Sequence, residues 1–266
     1  MELKCSNIGY TYKGKKILNN LSFCIDSSKI NGLMGHNKTL LLEIMDLEKK
    51  YQGDIYIDGT LVRVDNRKEF QRKISLVSQE HSFYTSSVEE EMKFIMDYYH
   101  YQPKDLKKRM LDSLKMVGLS SNYLTRKIKT LSNSEKILIK IACSFITNPD
   151  IILLDEVFVG LDYNSMMSIL KIVKKLQEVK GKIIVIASND VDFIYQYTNN
   201  VLILENGRIL IQEDTSKVFQ DIHFLESHNL DVPDLVRFTK LAKDKKVRLS
   251  YHKDILDLIK DVYKHV

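Results

Sequence analysis

A chain of 266 residues with 44% hydrophobic and 28% charged side chains is long and apolar enough to bury a full core, which excludes a disordered or fibrous protein. No apolar run reaches the ~18–20 residues of a membrane span, so no transmembrane helix is expected. Lys plus Arg (40) exceeds Asp plus Glu (35) by 5, a mild excess that suits docking beside an anionic inner leaflet and equally a solvated surface.

In chain order, residues 2–12 and 17–25 read as two strands around the turn Lys13-Gly14-Lys15. Residues 29–34 form a short buried strand ending at Gly35. A helix follows from Lys38 to about Leu47, with Leu41, Ile44, Met45 and Glu48 at helical spacing. A strand pair, 54–57 and 61–64, turns at Asp58-Gly59. Apolar residues at three-to-four spacing predict helices over 89–99, 104–117 and 134–147. Then come strand 151–154, helix 163–179, strand 182–187, helix 190–197 and a hairpin, 200–212, turning at Asn206-Gly207. Residues 221–266 form a tail with helices at about 233–243 and 252–264. The alternation specifies an α/β fold with a parallel central sheet and an inserted helical subdomain.

The N-terminus opens with Glu2 and Lys4 and has no apolar core of a secretory signal. Cys5, Cys24 and Cys143 are widely spaced and lack metal-ligand spacing, which reads as reduced core thiols in the cytosol.

The segment Ile151-Ile152-Leu153-Leu154-Asp155-Glu156 carries the most chemistry. Four apolar residues bury a strand, and two carboxylates emerge at its C-terminal end, where α/β sheets place ligands. An Asp there can hold Mg²⁺, and a neighbouring Glu can polarise a water. Buried strands often end in acids for no such purpose, so context decides. Leu131-Ser132 opens a helix upstream, and Gly160-Leu161-Asp162 follows downstream. The stretch LSNSEKILIKIACSFITNPDIILLDEVFVGLD resembles the signature-helix, Walker B and D-loop block of ABC ATPases, and the resemblance covers residues 1 to about 220.

That resemblance implies a P-loop NTPase-like nucleotide-binding domain over 1–220, with an antiparallel β subdomain and a helical subdomain at about 80–147. It implies ATP and Mg²⁺ as ligands. Tyr12 falls where an aromatic stacks on adenine, and Gln79 where the Q-loop glutamine bridges metal, water and the membrane partner. Thr39, Gln79 and Asp155 fall at the metal, Glu156 at the attacking water and Asp162 in the D-loop.

Three motifs depart from the family pattern. A phosphate loop reads G-x-x-x-x-G-K-[ST], its glycines letting backbone N–H groups approach the phosphates. Here the chain runs Gly32-Leu33-Met34-Gly35-His36-Asn37-Lys38-Thr39. In one alignment Gly32 leads and Asn37 replaces the second glycine. In the other, Gly35-His36-Asn37 starts the loop and three residues before Lys38 are missing; this is preferred, because 30–34 is needed as strand. The signature LSGGQ is Leu131-Ser132-Asn133-Ser134-Glu135, so Asn133 and Ser134 put side chains where glycines admit the partner's phosphate. Asn189 stands at the switch histidine, and an amide can hydrogen-bond a phosphate oxygen but cannot take up a proton or carry positive charge. In the family's head-to-tail dimers these losses weaken this chain's own site and its partner's.

The tail Asn229-Leu230-Asp231-Val232-Pro233-Asp234-Leu235-Val236 and the block Ser87-Val88-Glu89-Glu90-Glu91 resemble energy-coupling factor (ECF) ATPase subunits. That narrower resemblance implies a peripheral protein on the cytoplasmic face of the membrane. Its partners would be a second ABC ATPase, a heterodimer being favoured over a homodimer, with a transmembrane scaffold and a substrate-binding membrane subunit for a vitamin or metal ion. No nucleic acid is implied, and residues 221–266 would be a dimer contact. The alternative is a catalytically impaired structural or regulatory subunit paired with an intact ATPase.

Overall fold

The structure is a computed structural model and describes residues 1–47, 49–80 and 82–265. Two sheets organise it. The first is antiparallel, in the order β2-β1-β4-β5, formed by β1 (Glu2–Tyr12), β2 (Lys15–Asp26), β4 (Gln52–Ile57) and β5 (Thr60–Leu61). The second has the order β10-β9-β3-β8-β7-β6, from β3 (Ile30–Gly35), β6 (Ile74–Ser78), β7 (Ile151–Asp155), β8 (Ile183–Ala187), β9 (Asn200–Glu205) and β10 (Arg208–Asp214). Its strands β9, β3, β8, β7 and β6 pair in parallel, and only the β9–β10 hairpin is antiparallel.

The central strands are buried on both faces, as a parallel sheet between helical layers must be. Period-two alternation divides them between two cores. Ile151 and Leu153 face α1 (Lys38–Met45) and the antiparallel sheet. Ile152 and Leu154 face the other way, toward α6 (Tyr163–Lys180) and the helical insertion.

The insertion holds α3 (Val88–Tyr98), α4 (Leu106–Met116) and α5 (Asn133–Ser144), preceded by the short α2 (Arg67–Gln71). Polar side chains start these helices. Ser87 caps α3 and Asp105 caps α4, each accepting an amide N–H three residues on. Ser132 and Glu135 close a capping box on α5. After β8 come α7 (Val191–Tyr197), α8 (Thr215–Gln220), α9 (Ile222–Ser227), α10 (Asp234–Asp244) and α11 (Ile255–His265).

Several expectations are corrected. The strand expected at 61–64 shrinks to Thr60–Leu61, and Val64 is fully exposed beyond it. Strand β6 and helix α2 were not foreseen from the pattern: five residues are too few to establish a period. Helix 134–147 ends at Ser144 and passes into a 3₁₀ turn over Phe145–Thr147. The last helix starts at Ile255 rather than 252. Helix α1 stops at Met45, short of Leu47, and Glu48 lies outside the described residues. Cys24 is exposed, on the outer face of edge strand β2, so only Cys5 and Cys143 are core thiols.

Candidate functional site

The site is built at the C-terminal ends of β3 and β7, which are separated in the sheet by β8. Strand β3 ends at Gly35 with φ 99°, and a Cβ placed there would lie 1.9 Å from the Leu204 carbonyl oxygen on β9. Only glycine fits. His36 and Asn37 then turn the chain directly into α1, Asn37 in the left-handed conformation at φ 66°. Gly32 sits mid-strand, opposite Ile186 on β8 and Val201 on β9. It is therefore no loop glycine, and the alignment that makes it one fails. The phosphate turn is a two-residue connection. Leu41 N–H makes the first helical bond, to Asn37 O, so the few amides before it are the donors α1 leaves free.

Lys38 and Thr39, on the first turn of α1, meet the two carboxylates at the end of β7. Thr39 Oγ1 donates to Asp155 Oδ2 at 2.9 Å. Lys38 Nζ lies 3.1 Å from Glu156 Oε1, and Ser188 Oγ donates to Glu156 Oε2 at 3.2 Å. Glu156 itself takes a positive φ of 50°, uncommon for a side chain of its size, and its N–H is held by Ala187 O at 3.0 Å. Asp155 is 3% exposed. Burial raises its pKa above the ordinary carboxylate value, against the opposing pull of the Thr39 hydroxyl and Lys38. Its Oδ1 is buried with no hydrogen-bond partner among the described residues. An orphaned carboxylate oxygen beside a threonine hydroxyl fits a hard divalent cation such as Mg²⁺.

Other candidate residues are dispersed around this centre. His36, Asn37, Lys38, Thr39 and Asn189 line one open cleft of about 990 Å³, whose far wall is the tail segment His228-Asn229-Leu230-Asp231. Tyr12 and Gln79 are not among its lining residues. Tyr12 is 56% exposed, with Lys13 Nζ 5.4 Å from its ring centre. Gln79 keeps its backbone beside the site, through N–H to Asp155 O at 3.2 Å. Its side chain turns away and donates to Val159 O at 3.1 Å.

The signature residues stand at the start of α5. Ser132 Oγ accepts from Glu135 N–H, and Glu135 reaches back to Ser132 N–H. Glu135 also accepts from the Tyr123 hydroxyl and from Arg126. The hydroxyl, the Ser132 amide and Arg126 together lower its pKa to about 2. Ser134 Oγ reaches Asp162 Oδ2 at 3.4 Å, and Asp162 caps α6 through Ser165. Asn133 lines a separate cleft with Gln79 and Gly160.

Sequence reasoning found the residues around the carboxylates but missed Ser188, Tyr123 and Arg126. A serine two residues before a helix-capping Asp190 carries no motif of its own, and its proximity to Glu156 depends on β7 and β8 pairing in register. That the tail segment and the turn before α1 line one cleft was equally invisible.

The family model described as ABC transporter matches residues 18–159, a span containing the phosphate turn, Gln79, the signature and both carboxylates. The chain belongs to the ABC transporter family. Among relatives of this ABC chain, the energy-coupling factor transporter ATP-binding protein EcfA1 of Mycoplasma mobile is 29% identical over 262 residues, spanning 96% of this chain and 94% of that one. CbiO1 of Clostridium perfringens, part of the ABC transporter complex CbiONQ, superposes with a TM-score of 0.73 at 24% identity, covering 90% of this chain and 98% of that one. A dimeric ATP-binding cassette with ADP and Pi bound superposes at 0.70 and 25% identity, covering 80% and 98%. The P-loop NTPase-like α/β architecture expected for this ABC chain is the one these solved structures share. No helix among the described residues is long and apolar enough to cross a membrane.

Proposed function

We propose that this chain is the ATP-binding subunit of an ECF-type importer, peripheral on the cytoplasmic face of the membrane, coupling ATP binding and hydrolysis to uptake of a vitamin or metal ion. The observation that carries the reading is the pairing of Thr39 with Asp155 and of Lys38 with Glu156 across the β3–α1 and β7 termini. The similarity to EcfA1 supports the ECF assignment along nearly the whole chain.

In this reading Tyr12 stacks on adenine, and His36, Asn37 and the free amides of α1 meet the phosphates. Lys38 leaves Glu156 for a phosphate oxygen. Thr39 and Asp155 would hold Mg²⁺, and Gln79 would join them with its amide turned off Val159. When bound, the cation would neutralise phosphate charge. Glu156 accepts a hydrogen bond from the attacking water and orients it in line with the terminal phosphate. Asn189 offers that phosphate a neutral donor. Ser132, Asn133, Ser134 and Glu135, with Asp162, face the nucleotide of a second ABC ATPase, more fittingly a different chain than another copy.

Residues 1–220 form the ABC domain in this proposal, and 221–266 a contact with that second ATPase. The exposed apolar side chains Phe238, Leu241, Leu256, Ile259 and Tyr263 support the contact. A transmembrane scaffold and a substrate-binding membrane subunit complete the assembly. The test is Mg²⁺-dependent ATP binding and phosphate release by the full chain, alone and with an ECF-type ABC ATPase as its second subunit. ATP binding that requires Mg²⁺ and is lost in Lys38→Ala is expected; its absence in both settings rejects the proposal.

A further inference from the structure

The structure assigns Ser188 as the positioning residue that keeps Glu156 in place when Lys38 leaves it. The assignment rests on the ATPase reading above and adds a residue to it.

Among the described residues Glu156 has two side-chain partners, one on each oxygen: Lys38 on Oε1 at 3.1 Å and Ser188 on Oε2 at 3.2 Å. They differ in what holds them. Lys38, though largely buried, carries its ammonium on a four-carbon stem that lines an open cleft, from which a phosphate would draw it away. Ser188 is fixed. It is buried at the end of β8, and its N–H donates to Leu33 O on β3 at 3.2 Å.

Its hydroxyl direction is fixed too. Asp190 N–H donates to Ser188 Oγ at 3.1 Å, so an oxygen lone pair is committed to that amide. A hydroxyl has a single proton, and here it goes to Glu156. The donor therefore stays aimed at the carboxylate whether or not Lys38 is present. Glu156 occupies a left-handed backbone position, which sets the root of its side chain but not its carboxylate. Once Lys38 has moved, the Ser188 hydroxyl is the remaining described hydrogen bond to that carboxylate, leaving Oε1 free for the water.

The experiment measures steady-state phosphate release from Mg²⁺-ATP by the full chain with the same second ABC ATPase, for wild type and the variants Ser188→Ala, Ser188→Thr, Glu156→Gln and the double Ser188→Ala/Glu156→Gln. A hydrogen bond to a charged group is worth enough to predict a fall in kcat on the order of tenfold for Ser188→Ala, with KM within about twofold. Ser188→Thr, which keeps the hydroxyl, restores kcat. The double variant is no slower than Glu156→Gln alone, because the serine acts through the glutamate. Thermal melts of each variant accompany the kinetics, and if Ser188→Ala melts early the threonine variant and the double variant decide.

An unchanged kcat in Ser188→Ala overturns the assignment. So does a further loss in the double variant, or a fall in Ser188→Thr at a wild-type melting temperature. A wild-type rate no higher than that of Glu156→Gln sinks the ATPase reading and this assignment together. An active wild type with an indifferent Ser188→Ala sinks the assignment alone.

Discussion

Replacing Glu156 with Gln should tighten ATP binding by the isolated chain. In the structure Lys38 already has an anion, the Glu156 carboxylate 3.1 Å away, with side-chain exposures of 10% and 27%. At an effective dielectric of about 20 the bare attraction at that distance is about 5 kcal/mol. Most of it is offset by desolvation of the two groups. What a phosphate must displace is closer to the net value of a hydrogen bond between charged groups, about 1.5–3 kcal/mol. A glutamine leaves a hydrogen bond with one neutral partner, so the competition weakens by about 1–2 kcal/mol and the affinity rises about 5–30-fold. Removing a carboxylate near the terminal phosphate also removes a repulsion, so the gain should be larger for ATP than for ADP. Calorimetric titration with Mg²⁺-ATP and Mg²⁺-ADP at fixed ionic strength measures both, with Lys38→Met/Glu156→Gln as the control that should lose the gain. An affinity for ATP equal to or below wild type in Glu156→Gln would refute the view that Lys38 is held away from phosphate by this pair.

Inserting Gly-Ser-Gly between Asn37 and Lys38 supplies the missing backbone donors; ATP affinity should rise at least about tenfold in the same titration, since each charge-assisted contact is worth about 1.5–3 kcal/mol. Gly35→Ala should destabilise the fold by about 3 kcal/mol or more in urea unfolding, because its Cβ would lie 1.9 Å from a backbone oxygen. Gly59→Ala, with a positive φ but open space around it, should cost about 1 kcal/mol. The Glu135 pKa is lowered by the Tyr123 hydroxyl, the Ser132 amide and Arg126 to about 2. Its contribution is therefore complete above the ordinary carboxylate pKa and is lost as pH falls toward 2. The melting-temperature gap between wild type and Glu135→Gln should be constant near neutrality and close between about pH 5 and pH 2; a gap independent of pH would show that the network does not stabilise the ionised form.

The sheet was legible in the sequence wherever burial on both faces left an unbroken apolar run, as in 151–154 and 183–187. Strand β6 escaped because its five residues, Ile74–Ser78, mix serines with aliphatics, and only its pairing with β7 reveals it. The carboxylates and the phosphate turn were legible because their chemistry depends on residues adjacent in the chain. Ser188 was not, because its role arises from strand register. Gln79 meets Asp155 through its backbone, but its side-chain direction was not legible: that follows from the Val159 carbonyl, brought close by folding. The orientation of Cys24 was missed because an edge strand exposes alternate residues even where the sequence around them is apolar.

The two-residue turn after Gly35 separates what the fold needs from what a ligand needs. Strand β3 keeps its pairing with β8 and β9 up to that glycine, and α1 begins at Lys38 with Leu41, Leu42, Ile44 and Met45 buried beneath it. Little crosses the junction: the Leu41 N–H to Asn37 O bond that opens α1, and the buried Lys38 just beyond it, paired with Glu156. Chain length at this point is thus open to design: a closure of a few extra residues costs little entropy, provided that Lys38 keeps its seat against Glu156. Engineers can lengthen or re-sequence the junction and read anion capture beside the nucleotide-free melting temperature, the second reporting how far the first turn of α1 and its ion pair have shifted.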